Sequence, residues 1–269
     1  MQYGCLPAKK DLRDYKVCSA NIQQDYPKSF QLENLPRVKN QGNVNSCCAH
    51  ATSSILEYFD KNKHILSTNF IYGIQKQFCG QGGMGMYLAD SCKITATYGD
   101  PLEKDCKGNN EIPVAWGIAE ATAKNEEIMK KAYNFRTISY YACNSDNDIK
   151  YALMNYGPVL GAIYWRDKYN LDSNNVIHFD KASNGGGHAI MVYGWNESGW
   201  LIQNSWGPAF GNNGRFILPF DYGLVEARAL IDYDNPEDLA LMKPKNNKVF
   251  NIGYKIANFF LNLFKKKNK

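Results

Sequence analysis

The feature that most constrains the fold is a change of apolar periodicity near the middle of the chain. In the front half, apolar residues recur at three- and four-residue intervals after Cys47, which is typical of an amphipathic helix. After Gly157-Pro158, short apolar or aromatic runs such as "PVLGAIYW" and "HAIMVYGW" are separated by Gly and Asn, as strands are. The sequence therefore predicts an α+β protein with two segregated lobes and a site in the cleft between them.

Individual elements follow from the same patterns. Helices are predicted over residues 47–62, after the glycine-rich loop in "MYLADSCKITATYG", over residues 125–133, and in "DNDIKYALMNYGP". Strands are predicted at "PVLGAIYW", "HAIMVYGW", "GWLIQNSW" and "GRFILPF". At 269 residues, 44% of them hydrophobic, the chain is long enough to bury one large core or two small ones.

Positive charge is concentrated at the C-terminal end of the chain. From residue 243 to residue 269 there are eight lysines and no acidic residue, so the formal net charge of +5 belongs to this segment, and we expect no nucleic-acid partner. Apolar residues of the segment share one face of a predicted helix. Residues 236–269 are therefore predicted to form a basic amphipathic tail. It either docks on its own domain, stays unfolded, or contacts an anionic membrane or a partner through residues 249–267.

The sequence shows no recognisable localisation signal. The N-terminus lacks an apolar run of signal-peptide length, and no stretch reaches the roughly 18 apolar residues of a membrane span. We therefore expect a cytoplasmic or non-classically released protein, and a monomer.

Two adjacent thiols, Cys47 and Cys48, lie where a turn-forming run ends and a predicted helix begins. The eight cysteines include no C-x-x-C pair and no Cys/His cluster with zinc-ligand spacing, so we expect neither a metal nor another cofactor. A helix N-terminus lowers the pKa of a thiol, because its first backbone N–H groups present partial positive charge. Cys47 is therefore the better placed nucleophile of the two.

Of the four histidines, His188 is the candidate base. His50, His64 and His178 are interpreted as structural, from their places inside a helix, in a charged loop and at the start of a strand. His188 follows "NGGG" and begins the strand "HAIMVYGW", and Asn204 comes 16 residues later. An asparagine at that position is able to orient an imidazole by accepting its ring N–H.

Taken together, these stretches resemble the papain-like cysteine peptidases. The matching stretches are "RVKNQG" from Arg37, "SC" at Ser46-Cys47, "GHAIMVYGW" around His188 and "NSWG" from Asn204. Gln41 lies six residues before Cys47, and His188 lies 141 residues after it. The resemblance covers roughly Pro27 to Asp234, and it implies a peptidase domain over residues 27–235.

This resemblance implies a thiol-dependent endopeptidase with a papain-like two-lobe fold, in which a helical left lobe faces an antiparallel, β-barrel-like right lobe. It implies Cys47 as nucleophile, His188 as its ion-pair partner and general acid, and Asn204 as the group that orients the histidine. The Gln41 side chain and the Cys47 backbone N–H would form the oxyanion hole. The implied substrate-binding residues are Gly82, Gly83, Gly187 and Trp206, the last as a shield over the His–Asn hydrogen bond.

The sequence also departs from the family pattern. Val44 stands where relatives have a cysteine, so that bridge is expected to be absent. Cys48 stands where they have tryptophan, and it is expected to be a small buried residue pointing away from the cleft. Cys79 and Cys106 resemble a bridged pair. Residues 1–26 form a predicted N-terminal arm, similar to that of bacterial-type members, which either folds over the cleft or braces the two lobes.

Other functions share this pattern of residues. The same thiol could serve a transpeptidase or an amidase, or the fold could belong to a weakly active binding protein targeted by its basic C-terminal helix. All of the proposed catalytic positions are filled, which favours the peptidase with a protein or peptide as its substrate.

Overall fold

A computed structural model describes residues 3–7, 25–76, 85–108 and 116–232 of the chain. The predicted amphipathic tail, Gly82, Gly83, Cys79 and most of the predicted N-terminal arm lie outside these ranges. Within them, no helix is both long enough and apolar enough to cross a membrane.

Helices occupy most of the chain before Gly157. They are α1 (Cys47–Phe59), α2 (Thr68–Ile74), α3 (Leu88–Thr97), α4 (Trp116–Ala123), α5 (Glu126–Ala132) and α6 (Asp146–Asn155), with a 3-10 turn at Tyr133–Phe135. Side-chain caps begin α2, α5 and α6, where Ser67, Asn125 and Ser145 accept backbone N–H groups of the first turn. Helix α6 stops just before Gly157, whose φ of +110° suits glycine.

Strands dominate the rest of the chain. They are β1 (Phe30–Gln31), β2 (Ser139–Ala142), β3 (Val159–Arg166), β4 (Tyr169–Leu171), β5 (Ile177–Phe179), β6 (Gly185–Asn196), β7 (Gly199–Gln203), β8 (Arg215–Leu218) and β9 (Glu226–Ile231). The main sheet has the order β2-β9-β3-β6-β7-β8, with β1 added on β6, and its pairs are antiparallel. Strands β4 and β5 form a separate hairpin.

The α+β prediction is confirmed, with one refinement. In the described residues the sheet is open: β2 and β8 are its two ends and do not pair with each other, so the right lobe is not a closed barrel. The predicted helices and strands are present, and α1 ends at Phe59, three residues earlier than predicted. Helices α2 and α4 and strands β2 and β9 were not predicted.

Alternation along the central strands joins the helices to the sheet. Leu160, Ala162, Ala189 and Met191 on one face belong to the same hydrophobic cluster as the buried face of α1. Val159, Ile163, Ile190 and Val192, on the opposite face, belong to a second cluster built around three buried tryptophans. Successive strand residues point to opposite faces, so β3 and β6 contribute to both cores at once. This arrangement fixes the start of α1 beside the N-terminal end of β6.

Candidate active site

Cys47 is the first residue of helix α1 and is fully buried. The turn before it is closed by backbone hydrogen bonds from Val44 N to Gln41 O (3.3 Å) and from Ser46 N to Val44 O (2.8 Å), and Gly42 adopts a positive φ. The first N–H groups of a helix have no partner inside the helix and carry partial positive charge. A thiolate at Cys47 is therefore favoured by its position on the backbone.

His188 and Asn204 form a buried pair beside this helix start. The distance from His188 Nε2 to Asn204 Oδ1 is 2.7 Å, and Ser205 N donates to the same oxygen at 2.8 Å. A carbonyl oxygen only accepts hydrogen bonds, so Nε2 must carry the proton when the ring is neutral. This tautomer makes Nδ1 the basic nitrogen. Nδ1 is buried and has no partner of ordinary hydrogen-bond geometry in the described part of the chain.

The electrostatics of Cys47 depend on its neighbours. Burial by itself raises the pKa of the Cys47 thiol. Hydrogen bonding to Cys48 and His188, together with the charge of the imidazole, outweighs burial and holds the pKa well below its usual value. The pKa of Cys48 moves the other way, well above its usual value, because of burial and of the adjacent thiols Cys47 and Cys5. Two neighbouring thiols thus differ in reactivity, and Cys47 is the one poised as a thiolate.

Aromatic rings enclose the histidine. The Trp206 ring lies against the His188 ring with centroids 4.7 Å apart, and Trp165 approaches it edge-on at 5.4 Å. These rings exclude water from the His188–Asn204 hydrogen bond, which strengthens it, since the local dielectric is low. Trp206 therefore lies where the sequence placed a shield.

Gln41 is fixed by both ends of its amide. Its Nε2 donates to Val44 O at 2.9 Å, its Oε1 accepts from Ser205 Oγ at 2.7 Å, and its backbone N donates to Ser205 O at 2.8 Å. Ser205 therefore holds both Asn204 and Gln41, and the sequence analysis missed it. The position of Ser205 between Asn204 and Trp206 in the motif "NSWG" could have indicated its role.

The other histidines lie where they were predicted, as structural groups. His50 is buried one turn into α1, its Nδ1 is 3.0 Å from Ser46 O, and burial lowers its pKa to about 3. His64 and His178 are exposed and contact Asp60 (2.8 Å) and Asp172 (3.1 Å). Within the described ranges, His, Cys, Asp and Glu side chains form no group suited to hold a metal ion.

An N-terminal segment, residues 3–7, runs directly beside this site. Cys5 N donates to Gly187 O at 2.9 Å, Leu6 N donates to Met86 O at 2.9 Å, and Met86 N donates to Gly4 O at 2.7 Å. The approach is so close that a Cβ on Gly187 would lie 2.0 Å from Cys5 O. Glycine is therefore required at position 187, the predicted substrate-binding residue next to His188.

The cysteines differ from expectation in two respects. Cys48 is buried, but its sulfur does not point away from the site: Sγ lies 3.3 Å from Met86 O and interacts with the thiols of Cys5 and Cys47. Cys106, predicted to pair with Cys79, is a free buried thiol, and so are the other cysteines of the described residues, Cys5, Cys47, Cys48, Cys92 and Cys143.

Comparison with known proteins assigns the chain to a family. The model of the papain family cysteine proteases matches residues 25–222. The chain belongs to the papain family. Cathepsin B-like cysteine proteinase 3 of Caenorhabditis elegans is 26% identical over 209 residues, covering 67% of this chain and 56% of that protein. A cysteine protease of Blomia tropicalis is 26% identical over 235 residues, covering 77% and 63%. This papain-family chain thus spans less than two thirds of the length of either relative.

A solved structure agrees with the fold. Xylellain, a cysteine protease from Xylella fastidiosa, superposes with a TM-score of 0.71 at 22% identity, covering 86% of this chain and 96% of that one. At this identity the likeness concerns the fold, which is papain-like.

Proposed function

We propose that this papain-family chain is a thiol-dependent endopeptidase with Cys47 as its nucleophile. The observation that carries the proposal is the 2.7 Å contact of His188 Nε2 with Asn204 Oδ1, because it leaves Nδ1 as the basic nitrogen on the side that interacts with Cys47. A thiolate paired with an imidazolium attacks carbonyl carbon without a separate deprotonation step.

The reaction then divides into two steps. In the first, the Cys47 sulfur bonds to the scissile carbonyl carbon, and His188 Nδ1–H gives its proton to the leaving amine, so that a thioester remains. In the second, water loses a proton to Nδ1 and attacks the thioester, which releases the carboxylic acid and restores the ion pair. Asn204 keeps the ring in the orientation that both proton transfers need, and Trp206 keeps water away from the His–Asn bond.

Negative charge develops on the carbonyl oxygen in both steps. We assign its stabilisation to the Cys47 backbone N–H and the Gln41 side-chain amide, which Ser205 and Val44 hold in a fixed orientation. Loss of one such donor commonly lowers the rate by about 10²–10³-fold. Gln41→Ala should therefore slow hydrolysis by that factor and leave the fold intact.

The proposed partner is a protein or peptide substrate bound in extended form. Residues 3–7 support this proposal, because their backbone hydrogen bonds to Gly187 and Met86 are of the kind that an extended peptide would make. Gly82 and Gly83 are proposed to line the same surface.

The test is labelling with an epoxide inhibitor of cysteine peptidases, under reducing conditions, followed by mapping of the modified residue. We expect label on Cys47 alone, no label in Cys47→Ala, and unchanged labelling in the matched variant Cys106→Ala. Hydrolysis of an unstructured protein should be lost only in Cys47→Ala. Label on Cys48, or hydrolysis by Cys47→Ala, would contradict the proposal. Labelling of Cys47 without hydrolysis, together with activity on a non-protein amide, would favour the amidase alternative.

A further inference from the structure

Three cysteines from two distant parts of the chain meet at the site. Cys5 belongs to the N-terminal segment, whereas Cys47 and Cys48 begin helix α1, and all three are buried in one cluster. Catalysis as proposed needs only Cys47. The proximity of Cys5 to Cys48 therefore calls for its own explanation.

The contact between Cys5 and Cys48 is built around Met86. Cys48 Sγ lies 3.3 Å from Met86 O, the same oxygen that accepts the hydrogen bond of Leu6 N at 2.9 Å. Cys5 itself pairs with Met86 as a parallel bridge, so the Cys5 and Cys48 side chains converge beside one peptide group. Cys5 Sγ lies 3.8 Å from Leu6 O, the carbonyl of the residue whose N–H bonds to Met86 O.

The segment that carries Cys5 is held on both sides. Tyr3 OH donates to Asp167 Oδ1 at 2.5 Å, and the Tyr3 side chain lies over Gly186, where an added Cβ would be 2.7 Å from Tyr3 Cβ and 2.8 Å from the ring. Cys5 N is bonded to Gly187, the neighbour of His188. Anchors on both sides restrict where the Cys5 sulfur can go, which favours one disulfide partner over others.

We propose that Cys5 and Cys48 are a redox modification site, and that their disulfide fixes residues 3–7 across the approach to Cys47. The co-reactant is a low-molecular-mass disulfide such as oxidised glutathione. The small deprotonated fraction of one thiol attacks it and releases the first small thiol, and the second protein thiol, once deprotonated, attacks the mixed disulfide and releases the other. The raised pKa values of Cys5 and Cys48 slow this exchange but do not change the disulfide reached at equilibrium. Two protein S–H groups are oxidised, one small disulfide is reduced to two thiols, and the number of S–S bonds is unchanged.

The bridge would act without consuming the nucleophile. A disulfide between Cys5 and Cys48 leaves the Cys47 sulfur free but closes a covalent loop around the helix start, so that the segment cannot leave the site. The small thiol at position 48 is the group that this bond requires. The consequence for activity depends on the proposed peptidase function, but the bridge itself does not.

The first experiment uses the full chain, equilibrated in buffers of reduced and oxidised glutathione and quenched with acid. Peptide mapping without reduction should show a Cys5–Cys48 linked peptide that disappears with dithiothreitol. A Cys5–Cys47 linked peptide, or no linked peptide at any ratio of the two glutathiones, would overturn the proposal. No variant is needed for this measurement, so misfolding cannot obscure it.

The second experiment measures the consequence with the epoxide label. In the oxidised chain the labelling rate of Cys47 should fall by about 10²-fold, since a bridge beside the site raises the effective concentration of the segment there above that given by the chain connection alone, and dithiothreitol should restore it. Cys5→Ser and Cys48→Ala should keep fast labelling after the same oxidation, whereas Cys143→Ala should behave as the unmodified chain. Equal protection in Cys5→Ser would show that oxidation of Cys47 itself, not the bridge, is responsible.

The two proposals fail separately. A chain that forms the linked peptide but, once reduced, cleaves no substrate would reject the peptidase and leave the redox site standing. A reduced chain that cleaves substrate but never forms the linked peptide would reject the redox site alone.

Discussion

Two buried polar clusters lie at the two ends of helix α1, and they differ in which of their groups lack hydrogen-bond partners. Towards its C-terminal end, Lys39 Nζ contacts Glu57 Oε1 (2.7 Å), Leu66 O (2.9 Å) and Ser53 Oγ (3.1 Å), and Leu66 N donates to the same Glu57 oxygen. At its N-terminal end, by contrast, His188 Nδ1 and Asn204 Nδ2 have no ordinary hydrogen-bond partner among the described residues.

The Lys39–Glu57 cluster supports the fold, whereas the His188–Asn204 cluster is proposed to take part in the reaction. The Lys39 ammonium has its hydrogen bonds made, so the Lys39–Glu57 pair joins α1 to the segments before and after it. Beside this pair, burial raises the pKa of Asp100, whose carboxyl oxygens have no ordinary hydrogen-bond partner among the described residues. Buried polar atoms that stay unpaired are costly and therefore rare, and they are retained where a substrate or a reacting group completes them. Variants in each cluster test this distinction.

Removing the imidazole should have the largest effect. His188→Ala removes the imidazole whose hydrogen bond and charge lower the pKa of Cys47. Burial then dominates, so this pKa should rise towards that of an ordinary buried thiol. We expect alkylation of Cys47 by iodoacetamide at pH 6 to slow by about 10²-fold and peptide hydrolysis to fall by about 10²–10⁴-fold. His178→Ala, at an exposed histidine, is the matched control. An unchanged alkylation rate at pH 6 would show that His188 does not set the pKa of Cys47.

Breaking the satisfied cluster should affect stability rather than reactivity. Glu57→Gln removes the carboxylate in direct contact with the buried Lys39 ammonium, and we expect the free energy of unfolding to fall by about 3 kcal/mol. Urea denaturation measures this loss, and the folded variant should still react at Cys47. Asp105→Asn, which removes one partner of the exposed Lys131–Asp105 pair (2.7 Å), is the control and should leave the midpoint of urea denaturation unchanged. A Glu57→Gln midpoint equal to that of the unmodified chain would refute the structural role.

The buried His50 predicts how stability depends on pH. Its pKa is about 3 in the folded chain, against an ordinary value of 6.5. Between those values the unfolded chain binds the extra proton, so His50 destabilises the fold as pH falls from 6.5 to 3, by up to about 1.4 kcal/mol per pH unit. The slope of unfolding free energy against pH should be smaller in His50→Gln than in the unmodified chain. Parallel profiles would contradict the assignment.

The smallest effect is expected at an isolated buried thiol. Burial raises the pKa of Cys143 to about 12, so this residue lacks the interactions that activate Cys47. Cys143→Ala should cost about 1 kcal/mol of stability through lost packing and leave hydrolysis unchanged. A loss of hydrolysis beyond twofold in the folded variant would mean that this thiol is coupled to the site.

Local patterns in the sequence were enough to predict much of the fold and the principal site residues. The 3.6-residue period of α1 and the apolar runs of β3 and β6 are properties of contiguous residues. Cys47, His188, Asn204 and Gln41 were identified in the same way, through short motifs at fixed separations. Helix α2, by contrast, is buried along its whole length, and α4 has glycine and alanine on its exposed face and alanine on its buried face, so periodicity could not reveal either of them.

Tertiary structure alone decided the remaining features. The tautomer of His188 depends on an oxygen 16 residues away, and the support of Gln41 depends on Ser205, across the fold. Only folding brings Cys5 to Gly187 and Cys48, because no local pattern encodes a contact between residues so far apart in the chain. Local patterns in the sequence therefore identified which thiol we propose as the nucleophile. The folded chain decided which thiols surround it, since helix starts are local features whereas thiol neighbours are contributed by distant segments.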